Sequence, residues 1–393
     1  MKLKKWWSVC LVAVLAALMI MSVAGCGDEA SDDSPATTEA GAETQTTAAA
    51  EAPEVGESSA VTETTETESD GTTTVLRLAA VDNDQGYASE AIKTFASEVE
   101  NRTEGRYKVE VGWACSYGGP GEFFDLVANG LVDIAYFLPC TSPGVFPATD
   151  MTALPWVLPN AAIATDALQA LVEQGYGMDE SMSAVKFLNV HMGPGHVLMT
   201  SKPVDSIQDF AGMKIISGGD MQAAAMSAIG ATPVYFDHSE FYGALQKGIA
   251  DANYNPWIGV APWNLHEVID YVLETNIGNV FCGFIMNWDS FDGMSPEDQQ
   301  VLDEVAKEAF GLIVKGYEDV AQAGKDAFLA KGGTIIPMPE DDFAFLNEAF
   351  AGLWNEWIAD MESQGIPATE ACNAMYGILE DLGVQTPAIG YQP

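Results

Sequence analysis

Val75-Leu-Arg-Leu-Ala-Ala-Val81 reads as a buried first strand, and the sixty residues after it decide the fold. Asp82-Asn-Asp-Gln-Gly86 is a loop. Tyr87 to Asn101 places Ala91, Ile92, Phe95 and Val99 on one helical face. Thr103-Glu-Gly-Arg106 turns the chain, and Tyr107-Lys-Val-Glu-Val-Gly-Trp113 alternates as a strand does. Gly118-Gly-Pro-Gly121 opens a helix carrying Phe123, Phe124, Leu126 and Val127. Asn129-Gly130 ends it, and Val132 to Phe137 is the next strand. Strand, helix, strand, helix, strand predicts βαβ units on a parallel sheet.

The theme recurs further along. Gly212 to Ile216 is a strand, Met221 to Ile229 a helix and Ala231 to Phe236 a strand. Ser239 to Lys247 is a helix with Ser239 near its N-cap, and Ala252 to Asn255 is a strand edge. Two α/β lobes follow from this. The tail is helical over Ser295 to Lys325 and about Asp341 to Gln364, with the Glu-Asp-Asp run at 340–342 in a first helical turn.

The N-terminus has a different chemistry. Lys2, Lys4 and Lys5 precede an apolar run from Trp6 to Val23, which ends in Val23-Ala24-Gly25-Cys26. Small residues before a cysteine resemble the bacterial lipobox. That resemblance implies residues 1–25 as a lipoprotein signal peptide and acylation of Cys26. An uncleaved anchor or a plain secretory signal are the alternatives. Residues 26–74 form an acidic Thr/Glu-rich tether. Thirteen acidic residues lie between Asp28 and Asp70, with no Lys, Arg or aromatic residue. Such a segment buries too little apolar surface to offset its ordering entropy, and like charges extend it. The expected location is extracytoplasmic, on the membrane surface through the lipid on Cys26.

Val75 to Pro393 leaves 319 residues, enough for one large or two medium domains. Thirteen basic residues face 44 acidic ones there, a net charge of −31. Such a surface repels nucleic acid and anionic headgroups, so no nucleic-acid partner is expected. Cys115, Cys140, Cys282 and Cys372 are widely spaced and make no zinc pattern. Their even number permits a bridge, with Cys115 and Cys140 the nearest candidates, against four buried thiols.

Enzyme signatures are absent. There is no G-x-S-x-G elbow, no P-loop and no dinucleotide fingerprint after the first strand. His191 and His196 lie five apart in a Gly-Pro loop, poor geometry for a shared metal. Asp82, Asp84 and Gly86 hint at a calcium loop, but the required glycine would fall at Tyr87 and the twelfth ligand at Lys93. Ser217 with His196 is the one nucleophile–base pair that can be constructed. The chain is therefore read as a non-enzyme, with no metal and no cofactor.

Ordered segments carry a resemblance. Arg102-Thr-Glu-Gly-Arg106, Asn129-Gly-Leu-Val-Asp-Ile-Ala135, Thr152-Ala-Leu-Pro-Trp156, Lys202-Pro-Val204 and Asp209-Phe-Ala-Gly-Met-Lys-Ile215 come first. Ile229-Gly-Ala-Thr-Pro-Val234, Glu240-Phe-Tyr-Gly-Ala-Leu-Gln-Lys-Gly248, Asp251-Ala-Asn-Tyr-Asn-Pro256 and Ser295-Pro-Glu-Asp-Gln299 follow. In order and spacing, over about residues 75 to 345, this set resembles the solute-binding proteins of TRAP transporters. The resemblance implies an α/β, two-lobed, periplasmic-binding-protein-like fold over 75–393, with long C-terminal helices. Lobe I would take about 75–198 and 285–330, and lobe II about 199–284 and 331–393. It further implies capture of a small organic solute by lobe closure and delivery to TRAP permease membrane subunits. Presentation of solute to a sensor, or an exported hydrolase, are the alternatives. Neighbouring permease or kinase genes would separate the first two.

One departure bears on the ligand. The family's strand G-(L/M)-K-I-R ends in an arginine that grips a substrate carboxylate. Here that position is Ile216. Arg77, Arg102 and Arg106 are the domain's only arginines, and the last two sit in a turn expected to be solvated. A simple C4-dicarboxylate is therefore disfavoured, and a neutral, aromatic or cationic solute is expected. A carboxylate held by the amides of Gly218-Gly219, by Lys214 or by His196 stays open. Asn255 matches the family's ligand-contacting asparagine. Strand-end loops add Asp82, Asn83, Tyr87 and Phe137, and Trp156, Ser217, Met221 and Trp257 are expected on the same rim.

Overall fold

The computed structural model describes residues 73–81, 83–84, 88–142 and 144–393. Cys26, the tether up to residue 72, Asp82 and Tyr87 lie outside the described residues, and Thr74, expected to end the tether, already belongs to the first strand. Eleven strands and nine α-helices occur among the described residues, and the strands form two sheets.

The first sheet begins as the sequence predicts. β1 (Thr74–Ala79), α1 (Ser89–Arg102), β2 (Tyr107–Gly112), α2 (Phe123–Ala128) and β3 (Ile134–Phe137) follow in turn, with β1 parallel to β2 and to β3. Its order is β2-β1-β3-β10-β4, where β4 is Val185–His191 and β10 is Cys282–Asn287. β10 runs antiparallel to both neighbours, so the sheet is mixed rather than purely parallel. Leu76, Leu78 and Tyr136 face α1, and Ala79, Ala135 and Phe137 face α2. The period-two alternation of a sheet covered on both sides makes these strands apolar throughout.

The second sheet has the order β11-β9-β5-β8-β6-β7. Its strands are β5 (His196–Thr200), β6 (Lys214–Ile216), β7 (Thr232–Val234), β8 (Ala252–Asn255), β9 (Tyr271–Ile277) and β11 (Thr334–Pro337). β6 pairs parallel with β7 and β8, whereas β5 runs antiparallel to β8 and β9. One face packs under α3 (Ala161–Glu173), α4 (Asp220–Ala228), α8 (Glu340–Ser363) and α9 (Ala368–Asp381). The other packs under α5 (Phe241–Gln246) and the 257–269 segment. The turn before α5 is capped by Asp237 rather than Ser239, with Glu240 accepting from the Asp237 N–H at 3.2 Å.

The chain passes between the sheets at 192–195 and again at 278–281. β5 thus joins the second sheet and β10 the first, a few residues from the expected divisions. The stretch from Leu154 to Leu171, expected in lobe I, packs into the second sheet's core, where the Trp156 ring meets Trp354 edge-on at 4.8 Å.

After the short α6 (Trp288–Asp292), α7 (Pro296–Ala330) belongs to both lobes. Ser295 accepts from the Asp298 N–H, and Pro296 occupies the first turn, where no N–H is needed. Thirty-five residues rise about 52 Å. Leu302, Val305, Ala309, Ile313 and Tyr317 pack on the first lobe, and Ala321 and Phe328 on the second. Gly324 meets the strap after β8: a Cβ there would lie 2.8 Å from the Trp257 carbonyl oxygen.

The arginines are spoken for by this helix and its surroundings. Arg106 donates to Asp298 at 2.7 Å, and Arg102 pairs with Glu98 and Glu308, so the turn is docked on α7 rather than solvated. Arg77 lies beside Asp133. Asp342, in the first turn of α8, is buried and accepts from the Ser206 hydroxyl at 2.6 Å and the Ile207 N–H at 2.8 Å.

Candidate cleft between the two sheets

The segments that follow β3 and β6, at the carboxyl ends of parallel strands in the two sheets, line one pocket, the place where open α/β sheets bind ligands. The loop after β3 and the 3₁₀ segment Pro147–Ala153 form one wall. The Gly218-Gly219 turn and the start of α4 form the other. They approach closely: a Cβ on Gly219 would sit 3.9 Å from Cys140 Cβ. Between them lies a narrow pocket of about 30 Å³, floored by Val280 and Phe281 at the second crossing.

The expected wall residues divide into two groups. Met221 lines the pocket. Ser217 is buried next to it, its N–H bonded to the Val234 carbonyl, and Gly218 is exposed at the rim. Asn255 is half-buried at the end of β8, and its Nδ2 has no hydrogen-bond partner. Gly259 leaves the room this amide occupies, because a Cβ there would come within 2.6 Å of Asn255 Nδ2. Asn83 is exposed on the loop after β1.

Four residues expected to face solute are core residues. Phe137 is fully buried among Phe124, Phe146 and Phe187. Trp156 donates its indole N–H to the Met151 carbonyl at 2.7 Å beneath Trp354. Trp257 packs on Phe328 with Lys325 Nζ 5.3 Å from its ring centre. Ile216 is fully buried with Val197, Met199 and Phe241. Strand-end aromatics are large apolar bodies, and here the layers above and below each sheet take them before the cleft does. Lys214 is exposed, and no Lys, Arg or His is among the described residues lining the pocket.

The two histidines serve different neighbourhoods. His191 stacks on Tyr136, with Nε2 3.4 Å from its hydroxyl, and burial pushes the ring down to about 3, so it is neutral. His196 lies in the other sheet, 3.0 Å through Nδ1 from the Gly278 carbonyl and 3.4 Å through Nε2 from the Gln222 amide nitrogen. Burial lowers it to about 4. No hydrogen bond joins Ser217 to His196 among the described residues, so the nucleophile–base pair is not assembled. Cys140 is a free thiol in the wall, so the Cys115–Cys140 bridge is not formed. No group of metal-ligating side chains occurs among the described residues.

Sequence reading missed the carboxylate and amide side chains of the lining, Asp150, Asp220 and Gln222. Burial raises the Asp150 carboxyl to about 6, with Asp220 and Asp179 adding like charge. Asp150 sits two residues before the Thr152–Trp156 turn, and Gln222 stands in the first turn after a glycine pair. That proximity is the only signal the sequence offered.

Comparison with known proteins gives a consistent picture. The family model described as bacterial extracellular solute-binding protein, family 7, matches residues 79–360. A solute-binding protein of Verminephrobacter eiseniae is 26% identical over 267 residues, 67% of this chain and 79% of that one. The ectoine/5-hydroxyectoine-binding periplasmic protein UehA of Ruegeria pomeroyi is 26% identical over 265 residues, covering 64% and 75%. Among solved structures, a marine metagenome TRAP solute binding protein specific for aromatic acid ligands superposes with TM-score 0.70 at 25% identity, covering 79% of this chain and 99% of that one. A TRAP protein of Chromohalobacter salexigens with bound D-glucuronate shares the fold at TM-score 0.67 and 20% identity, covering 76% and 99%.

Proposed function

Because this chain belongs to the bacterial extracellular solute-binding protein family 7, the solute receptors of TRAP transporters, we propose that it captures an organic solute other than a simple C4-dicarboxylate. It is a binding protein rather than an enzyme, and it works with membrane permease subunits. One observation carries the specificity. Ile216 is wholly buried in the lobe core, and no basic side chain stands among the described pocket residues to replace a carboxylate clamp. Burying a dianion beside Asp150 and Asp220 without a cationic partner costs several kcal/mol.

In this reading Ser217, Gly218, Met221 and Asn255 present the second lobe's wall to the solute, and Asp82, Asn83 and Tyr87 the first lobe's. Closure follows from contacts made only when both walls touch the ligand. The lipobox-like sequence at Val23–Cys26 supports an extracytoplasmic protein held to the membrane by lipid on Cys26, with residues 26–74 as its tether.

A thermal-shift screen of the intact chain against a solute library tests the specificity. Saturating ligand raises the melting temperature by mass action. The expected hits are neutral, aromatic or cationic solutes. A strong shift with succinate or malate would overturn the reading of Ile216 and leave the receptor role in place.

A further inference from the structure

The charged side chains of the cleft lining, Asp150 and Asp220, are both acidic. Asp150 is half-buried, and no hydrogen bond or ion pair engages its carboxylate among the described residues. Its neighbour Asp179 is occupied, accepting from the Ala148 N–H at 3.2 Å. Asp150 also caps no helix: the 3₁₀ segment that carries it has no side-chain cap. Across the pocket, Asp220 opens α4 and is exposed at the rim. Two carboxylates alone would be an ordinary acidic surface. Gln222 makes them a site.

Gln222 is 4% exposed, lines the pocket, and has an Oε1 without a hydrogen-bond partner. Its orientation is dictated from behind. The Gly278 carbonyl can only accept, so His196 Nδ1, 3.0 Å away, carries the proton. His196 is buried and neutral, which leaves Nε2 a bare acceptor. The Gln222 amide nitrogen, 3.4 Å from that Nε2, is therefore the donor. The relay is pinned at its base, where Thr275 donates to the His196 carbonyl at 2.7 Å and the imidazole lies 4.9 Å from the Tyr254 ring centre. Gln222 Oε1 is thus left as an unpaired, buried acceptor at the pocket's edge, against Gly218. Gly218 makes the space for it, since a Cβ there would collide with that oxygen.

We infer that the cleft recognises an organic cation bearing N–H donors, a primary amine or an amidinium, with Asp150 and Asp220 supplying counter-charge and Gln222 Oε1 accepting one hydrogen bond. The inference rests on the receptor reading above and narrows it. An N–H cation satisfies all three acceptors and relieves the repulsion between the carboxylates. A carboxylate ligand adds a third negative charge, and a polyol leaves the charge uncompensated.

The test is calorimetric titration of the intact chain with putrescine, agmatine, choline, xylitol, benzoate and succinate, repeated on Asp150→Asn and Gln222→Met. Putrescine or agmatine is expected to bind, choline at least tenfold more weakly because it has no N–H, and the other three not measurably. Asp150→Asn should weaken the cation at least tenfold and Gln222→Met several-fold, with both variants folded by circular dichroism. Tightest binding by succinate, benzoate or xylitol would overturn the cation inference and leave the receptor intact. So would cation binding untouched by Asp150→Asn. Silence from all six probes, together with no hit in the wider solute screen, would count against the receptor reading and the inference alike.

Discussion

Asp150 has a consequence for the empty protein that needs no ligand to observe. Its carboxyl is raised from the ordinary 3.8 to about 6, chiefly by burial, with Asp220 and Asp179 the acidic groups beside it and Cys140 the thiol across from it. A raised carboxyl binds its proton more tightly in the folded state, so this group's contribution to stability falls as pH rises from about 4 to about 6 and is level above that. Keeping it ionised at neutral pH costs roughly 2 kcal/mol after solvent screening. Asp150→Asn should therefore raise the melting temperature of the unliganded protein at pH 7 by a few degrees and leave it nearly unchanged at pH 4. A fall in melting temperature at pH 7 would mean the carboxylate has a stabilising partner. Functional sites hold such unfavourable charge because the ligand supplies its compensation.

At the scale of elements, α7 is the member on which both lobes rest, and two of its glycines make the point. At Gly324 a Cβ would meet the Trp257 carbonyl oxygen at 2.8 Å and Val260 at 3.1 Å. Gly311 has nothing within 4 Å. Gly311→Ala should stabilise by up to about 1 kcal/mol, as alanine does in a helix. Gly324→Val should destabilise by about 1–3 kcal/mol, because the strap after β8 cannot move without disturbing Asn255. Denaturant melts of the two variants check this pair, and equal effects would show that α7 does not press on the strap. Arg102 and Arg106 belong to the same element-level account. In sequence they read as a solvated turn, but their acidic partners Asp298 and Glu308 lie about two hundred residues away on α7. No local pattern reports a pairing of that separation.

The described residues form two mixed sheets joined by two short crossings and one long helix, with the pocket at strand ends. No helix among the described residues is long and apolar enough to cross a membrane. Cys26→Ser expressed in a bacterial host should move the protein from the membrane fraction into the soluble extracytoplasmic fraction. A protein still pelleting with membranes would argue for an uncleaved anchor.

The sequence by itself determined the βαβ alternation from Val75 to Phe137, the second unit from Gly212 to Asn255, the family, and the isoleucine at position 216. Each of these is written in short-range periodicity, turn residues or ordered motifs, and local sterics and burial turn them directly into structure. Only the tertiary structure decided the rest. β10 and β5 entered their sheets antiparallel because the crossings return the chain from the far side. Phe137, Trp156 and Trp257 went to the cores because layers distant in sequence cover them. Gln222 became a cleft acceptor because His196 and Gly278, the latter 56 positions further on, fix where its amide points. Hydrogen-bond direction and desolvation depend on what closes around a side chain, and that is settled only when the distant parts of the chain have met.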